Sequence, residues 1–198
     1  MTVATRIDWD QWRADYDQMT FKQHQAFNAE VAEQHPVQKQ YNAAAVRLFL
    51  EHRKPTTVVE LGGWCGSLAA DTLPDFPEIR SWVNYDITPN VPQVCDDARY
   101  SKVTLIDWPW NCRIQADALI ASHVLEHMRM DEVEKLLDAW DVKSVYADVP
   151  LRGNWDGYEG SHINEADTDE FLARVLDHGF SGLWEPTDVG ILAWFDKT

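Results

Sequence analysis

Cysteine is scarce in this chain. Cys65, Cys95 and Cys112 are odd in number and widely spaced, and a reduced, cytoplasmic protein is the simplest expectation. The opening residues, Met1 to Asp8, lack the apolar core of a signal peptide. No uninterrupted apolar run approaches about 18 residues, so no membrane span is expected. Positive charge is also in short supply, with 17 Lys and Arg against 33 Asp and Glu and a net charge of −16. Residues 1–56 balance at seven basic and seven acidic, so the whole excess falls in residues 57–198, ten basic against twenty-six acidic. No run of Lys or Arg offers a local basic patch. A long nucleic-acid duplex is therefore a disfavoured partner, and small molecules are favoured.

What is present argues for a packed globular chain. The 198 residues are 45% hydrophobic and include ten tryptophans, enough for one domain, or one domain with a helical extension. Residues 1–55 read as that extension, a helical cover or lid, and residues 56–198 as the domain itself. Asp8 caps an expected segment through Trp9, Trp12 and Tyr16, a second runs from about Phe21 to Gln34 before His35-Pro36, and a third from Val37 to His52 carries Tyr41. From Thr56 strands alternate with helices. Strands are expected at Thr57–Leu61, Trp82–Asp86, Val103–Asp107, Ala118–Ala121, Lys143–Val149, Gly182–Glu185 and Val189–Phe195, the last two as an antiparallel pair around Pro186. Helices are expected at Ser67–Thr72, at Asp131 to about Trp140, and at Thr168–His178 with Thr168 as cap and Gly179 as stop. A Gly-rich loop fills Leu151 to Asn164. This alternation implies an α/β sheet with ligands at the strand C-terminal ends.

The stretch Val58-Val59-Glu60-Leu61-Gly62-Gly63-Trp64-Cys65-Gly66-Ser67 reads as buried strand, acid, glycine-rich turn and helix start. Its glycines permit a tight turn against a ligand, and the helix start would aim unpaired N–H groups at it. The spacing is not the Gly-x-Gly-x-x-Gly of nicotinamide dehydrogenases.

Together with four later features, this stretch resembles the class I S-adenosylmethionine-dependent methyltransferases. Glu60, Gly62, Gly63, Trp64 and Gly66 follow that family's acid-x-Gly-x-Gly-x-Gly motif, except that Trp64 replaces the middle glycine. Asp86 matches the second-strand acid that holds the ribose hydroxyls, with Ile87 beside it to pack on the adenine ring. Asp107, followed by Trp108, matches the third-strand acid that meets the adenine amine. Ala121-Ser122-His123-Val124-Leu125-Glu126-His127-Met128 matches the segment after strand four in small-molecule members, so Ser122 and His123 are cofactor contacts by resemblance. Gly160-Ser161-His162-Ile163-Asn164, leading to Gly179-Phe180, resembles the loop and helix after strand five. The resemblance spans Thr56 to Phe195. It implies a Rossmann-like, seven-stranded, mostly parallel sheet with the last strand antiparallel, and S-adenosylmethionine as cofactor.

Methyl transfer asks the protein chiefly for alignment, and a hydroxyl or amine acceptor also benefits from a base. His127, His123 and His162 are the candidate bases, with Glu126 as orienter; no metal is expected. His123-Val124-Leu125-Glu126-His127 also spells H-x-x-E-H, the inverted zinc-peptidase pattern, but it directly follows a strand rather than lying along a helix. Asp107-Trp108-Pro109-Trp110 approaches the Asp-Pro-Pro-Trp of nucleic-acid amino methyltransferases but follows the third strand instead of the fourth. Trp64, Trp108, Trp110 and Trp155 near loops point to an aromatic-lined pocket. The expectation is methylation of a small-molecule acceptor. The alternative is a non-catalytic binding or interaction module whose cofactor pocket is altered by Trp64.

Overall fold

In the computed structural model, residues 18–34, 42–89, 91–150, 166–187 and 190–198 are described. The expected segment around Trp9, Trp12 and Tyr16, the positions Tyr41 and Trp155, and the loop with His162 lie outside them. Among the described residues two helices, α1 (Phe21–Gln34) and α2 (Ala43–Arg53), precede the first strand. Then follow β1 (Thr57–Leu61), α3 (Ser67–Thr72), β2 (Ser81–Asp86), β3 (Tyr100–Thr104), β4 (Ile114–Ser122), α4 (Met130–Ala139), β5 (Trp140–Pro150), α5 (Thr168–Asp177), β6 (Phe180–Pro186) and β7 (Gly190–Lys197).

The seven strands form one sheet in the order β3-β2-β1-β4-β5-β7-β6. β1 to β5 pair in parallel, and β7 runs antiparallel to both β5 and β6. Alternate strand residues feed two cores, because successive side chains leave a strand on opposite faces. On one face Val59, Leu61, Leu119, Ala121, Val145 and Ala147 pack with α4 (Val133, Leu136, Leu137) and α5 (Phe171, Leu172, Val175). On the other, Val58, Trp82, Ala118, Ile120 and Tyr146 pack with α2 (Val46, Phe49, Leu50) and α3 (Leu68, Ala69). β1 is buried on both faces, as a central parallel strand must be.

Several boundaries move for local reasons. β3 begins at Tyr100, earlier than its apolar run, because its pairing with β2 is set from Trp82↔Tyr100 to Asp86↔Thr104. Asp107 therefore lies beyond the strand. Trp140 opens β5 instead of closing α4, and its indole donates to Pro109 O at 2.9 Å. α4 is capped by Arg129, whose N–H donates to Glu132 Oε2 at 2.9 Å, so Asp131 sits in the first turn, paired with Lys135. At α5 the cap is Asp167, which accepts the Glu170 N–H at 2.9 Å, and Thr168 is the first helical residue. α2 starts at the Asn42 cap and closes on Lys54, left-handed at φ 47°, just before Pro55.

One polar tie fixes the edge beside β2. Arg99 donates from Nη1 to the carbonyls of Phe76 and Ile79, from Nη2 to that of Leu73, and from Nε and Nη2 to the Asp97 carboxylate. Asp97 is held down to about 2 by those Arg99 bonds. Among the described residues no helix is long and apolar enough to cross a membrane.

Candidate functional site

Strands β1 and β4 are neighbours whose following segments cover opposite faces of the sheet, which opens a crevice at their C-terminal ends. The loop after β1 lies at this crevice. Gly62 and Gly66 adopt positive φ, 69° and 79°, and Trp64 does so without being glycine, at 49°. Glycine adopts this region freely, whereas another residue does so at some cost in strain.

The loop N–H groups are satisfied within the chain. Gly62 N–H donates to Tyr85 O at 2.8 Å, Gly63 N–H to Asn84 Oδ1 at 3.0 Å, Trp64 N–H to Asp86 Oδ2 at 2.8 Å and Gly66 N–H to Gly63 O at 2.8 Å. The reason for glycine is also internal at two places. A Cβ on Gly63 would land on the Glu60 carboxyl, and one on Gly66 on the Tyr100 hydroxyl. These glycines let the loop close over its own polar floor, beside any closeness they give a ligand.

That floor is a buried network. Glu60 accepts the Trp82 indole N–H at 2.8 Å, and Asn84 Nδ2 donates to Tyr100 Oη at 3.0 Å. Burial pushes the Glu60 carboxyl up to about 7; the Trp82 bond opposes this and the Asp86 charge adds to it. Asp86, 3% exposed, accepts from Trp64 N–H on Oδ2 and from Thr88 N–H at 2.7 Å on Oδ1. Each carboxylate oxygen has a second lone pair, so Asp86 keeps acceptor capacity toward vicinal hydroxyls. Lys102, opposite Asn84 on β3, has its Nζ buried without a hydrogen-bond partner, and burial lowers its pKa.

Asp107 lies just before a 3₁₀ turn over Pro109–Asn111, whose N-cap is Trp108, and accepts from Trp108 N–H at 2.8 Å and from Asn111 Nδ2 at 3.1 Å. Trp108 stacks on Trp110 with centroids 5.0 Å apart and planes 8° from parallel, and the rings of Phe21 and His24 meet Trp108 edge-on. From α1, Gln25 Nε2 donates to Ile87 O at 3.2 Å and to Leu105 O at 3.0 Å. One side chain thus ties α1 to the segments after β2 and β3.

Across the crevice, Ser122 ends β4 and His123 follows in the left-handed region at φ 53°, its N–H donating to Asp148 O at 2.8 Å. The His123 ring lies between two carboxyls, Nδ1 3.7 Å from Glu126 Oε1 and Nε2 3.9 Å from Asp148 Oδ2. His127 Nε2 is 3.8 Å from the same Glu126 oxygen. Burial raises Glu126 well above the usual carboxylate range, with the Asp148 charge adding to it. Burial likewise raises Asp148 and lowers His123, each opposed by the charge of the other. Glu126 Oε2 and Ser122 Oγ are buried without hydrogen-bond partners. Leu125–His127 is a 3₁₀ turn, so H-x-x-E-H does not lie along a helix. Among the described residues no three His, Cys, Asp or Glu side chains converge as metal ligands do.

The two halves of the expected site thus share one edge of the sheet. Glu60 lies in β1 and Asp86 ends β2, with Gly62, Gly63, Trp64, Gly66, Ile87, Asp107 and Trp108 in the segments after β1, β2 and β3. Ser122 ends β4, and His123, Glu126 and His127 follow it. Val124 joins them, lying where a Cβ on Gly62 would come within 2.8 Å of it. Sequence reasoning missed Asp148, Asn84 and Gln25. Asp86 was picked out as the acid of the second strand, and Asp148 stands likewise near the end of β5, while Asn84 shares a strand face with Asp86. Gln25 carried no signal in sequence.

No family model matches this chain, and no curated protein does. Solved structures do resemble it. Magnesium protoporphyrin IX methyltransferase from Synechocystis PCC 6803, with bound SAH, is 15% identical with a TM-score of 0.58, over 96% of this chain and 94% of that one. Human N-acetylserotonin methyltransferase in complex with SAM is 16% identical with a TM-score of 0.60, over 90% of this chain and 55% of that one. Mitomycin 7-O-methyltransferase is 18% identical with a TM-score of 0.58, over 98% and 62%. The chain has the Rossmann-like class I methyltransferase fold, its seventh strand antiparallel as the sequence predicts.

Proposed function

We propose that this chain is an S-adenosylmethionine-dependent methyltransferase acting on a small-molecule acceptor. The observation that carries the reading is Asp86, buried at the end of β2, bracing the glycine loop after β1 while keeping lone pairs for a ligand. The residues present fit the cofactor. Asp86 would accept from the ribose hydroxyls, Asp107 from the adenine amine, and Ile87 and Trp108 would flank the base. Glu60, Gly62, Gly63, Trp64 and Gly66 would form the wall along the rest of the molecule, with Ser122 Oγ, buried and unpartnered, facing its far end together with His123. When bound, the cofactor supplies an electrophilic methyl group on a sulfonium.

The chain's own work is alignment, exclusion of water and proton handling. Glu60 keeps the loop seated through Trp82. Burial holds His123 toward its neutral form, ready to take a proton, and Glu126 stands behind His123 and His127 to orient them. His162 is kept as a candidate base from the sequence resemblance alone. The acidic surface of residues 57–198 supports a small acceptor over nucleic acid.

One observation favours a second reading, a binding module without catalysis. Trp64 holds its indole at the position of a motif glycine, on strained backbone. Titration calorimetry with S-adenosylhomocysteine, with NAD as control, separates the two. Micromolar binding of the first alone is expected; binding of neither supports the module. Asp86→Asn is expected to weaken S-adenosylhomocysteine at least tenfold, and affinity equal to the parent's sinks the ribose assignment. Asp86→Ala is the harsher variant, because it also strands the Trp64 and Thr88 N–H groups.

A further inference from the structure

We propose that the methyl acceptor is a cationic amine, received by Asp148 and deprotonated by His123 with Glu126 behind it. The inference rests on the methyltransferase reading and adds the class of substrate.

The cluster is short of positive charge. Asp148 and Glu126 face His123 from opposite ring nitrogens at 3.9 and 3.7 Å, and among the described residues neither carboxyl pairs with a lysine or arginine. Glu126 is buried, and its Oε2 has no hydrogen-bond partner among the described residues. A buried and a half-buried carboxyl with no lysine or arginine among the described residues are unfavourable in isolation, and such arrangements concentrate at functional sites. A bound ammonium would supply both the charge and the N–H donors. A hydroxyl acceptor would instead develop negative charge beside two acids. The net charge of −16 also draws cations toward the molecule from a distance.

Exposure divides the roles. The Asp148 side chain is 14% exposed and that of Glu126 2%, so Asp148 is the group an ammonium meets and Glu126 acts through His123 as a positioning residue. The ammonium gives one N–H proton to His123 Nε2, and Glu126 accepts a bond from the Nδ1–H that the neutral ring already carries. The freed nitrogen lone pair forms the N–C bond as the carbon–sulfur bond breaks, and that bonding pair stays on sulfur. Positive charge moves from sulfonium to the methylated nitrogen, and the proton on His123 leaves to solvent. The long imidazole–carboxyl distances shorten when the site fills.

The test uses the full chain, with n-hexylamine and 2-phenylethylamine as probes and 1-hexanol and 2-phenylethanol as their neutral partners. Binding is read by calorimetry in the presence of S-adenosylhomocysteine, and transfer from radiolabelled S-adenosylmethionine. The amines alone are expected to bind and be methylated. Asp148→Asn should raise KM for the amines at least tenfold. Glu126→Gln should lower kcat about tenfold with KM unchanged, a split that general loosening of the fold would not produce; melting temperatures check folding in both variants. Preferential methylation of the alcohols overturns the proposal, as does binding of S-adenosylhomocysteine with neither binding nor transfer for the amines. Saturable binding of Mg²⁺ that Glu126→Gln abolishes overturns it too, by giving the cluster another occupant. Failure of S-adenosylhomocysteine itself to bind sinks the methyltransferase reading along with it.

Discussion

The Trp82 indole donates its Nε1–H to Glu60 Oε2 at 2.8 Å, with both residues almost wholly withdrawn from water. This bond sits under the glycine loop and offsets part of what burying the Glu60 carboxyl costs. The offset is incomplete, because the group still titrates at about 7 against an ordinary 4.5.

A pH dependence follows from that shift. Between about 4.5 and 7 the folded protein holds a proton on Glu60 that the unfolded chain releases, so this group's contribution to stability falls as pH rises. The full change is about 3 kcal/mol, complete above the folded value. Glu60→Gln, which keeps an acceptor for Trp82, should flatten the curve across this window and exceed the parent in stability at pH 8. Urea unfolding at a series of pH values measures both; parallel curves for the two proteins would exclude Glu60 as the source.

Gly63→Ala should destabilise the fold by about 1–3 kcal/mol, because the added methyl meets the buried Glu60 carboxyl with no room to retreat. Gly63 has no positive φ, so the effect is steric rather than conformational. A denaturation midpoint unchanged by the substitution would mean that the loop relaxes freely.

Arg99→Lys should cost about 2–3 kcal/mol although charge is kept. Lysine cannot span the three carbonyls of Leu73, Phe76 and Ile79 while also bridging Asp97. Thermal unfolding reads the loss directly, and a melting temperature within a degree or so of the parent's would contradict it.

Gln25→Leu removes both bonds from α1 to the segments after β2 and β3. Hydrogen exchange in α1 should speed up by an amount equivalent to about 1–2 kcal/mol of opening free energy, while β1 and β4 keep their protection. Equal acceleration throughout the sheet would show that Gln25 supports the whole fold rather than the docking of α1.

Much of this architecture was legible because parallel strands buried on both faces leave dense apolar runs, as in Thr57–Leu61, and because acids mark their C-terminal ends. Asp86 was found by its match to the second-strand acid of the family that the sequence resembles. What escaped was set by partners distant in sequence. The start of β3 depends on its register with β2, which the run Val103–Ile106 does not encode. Trp140 suited the apolar stripe of α4 but was claimed by β5, where its indole reaches Pro109. The glycine loop and its acid Glu60 were recognisable, yet the packing of the loop on Glu60 and Tyr100 was not, since the motif does not say that its acid turns under the glycines and does not contain Tyr100. Gln25 was silent for the same reason, its two acceptors being backbone carbonyls more than 60 residues away.

The stacked indoles of Trp108 and Trp110 carry a last consequence, an optical one. Two chromophores stacked 5.0 Å apart with nearly parallel planes absorb as a coupled pair rather than as separate rings. The protein therefore contains its own unlabelled reporter beside Asp107, and near-ultraviolet dichroism can follow events there without a probe being attached.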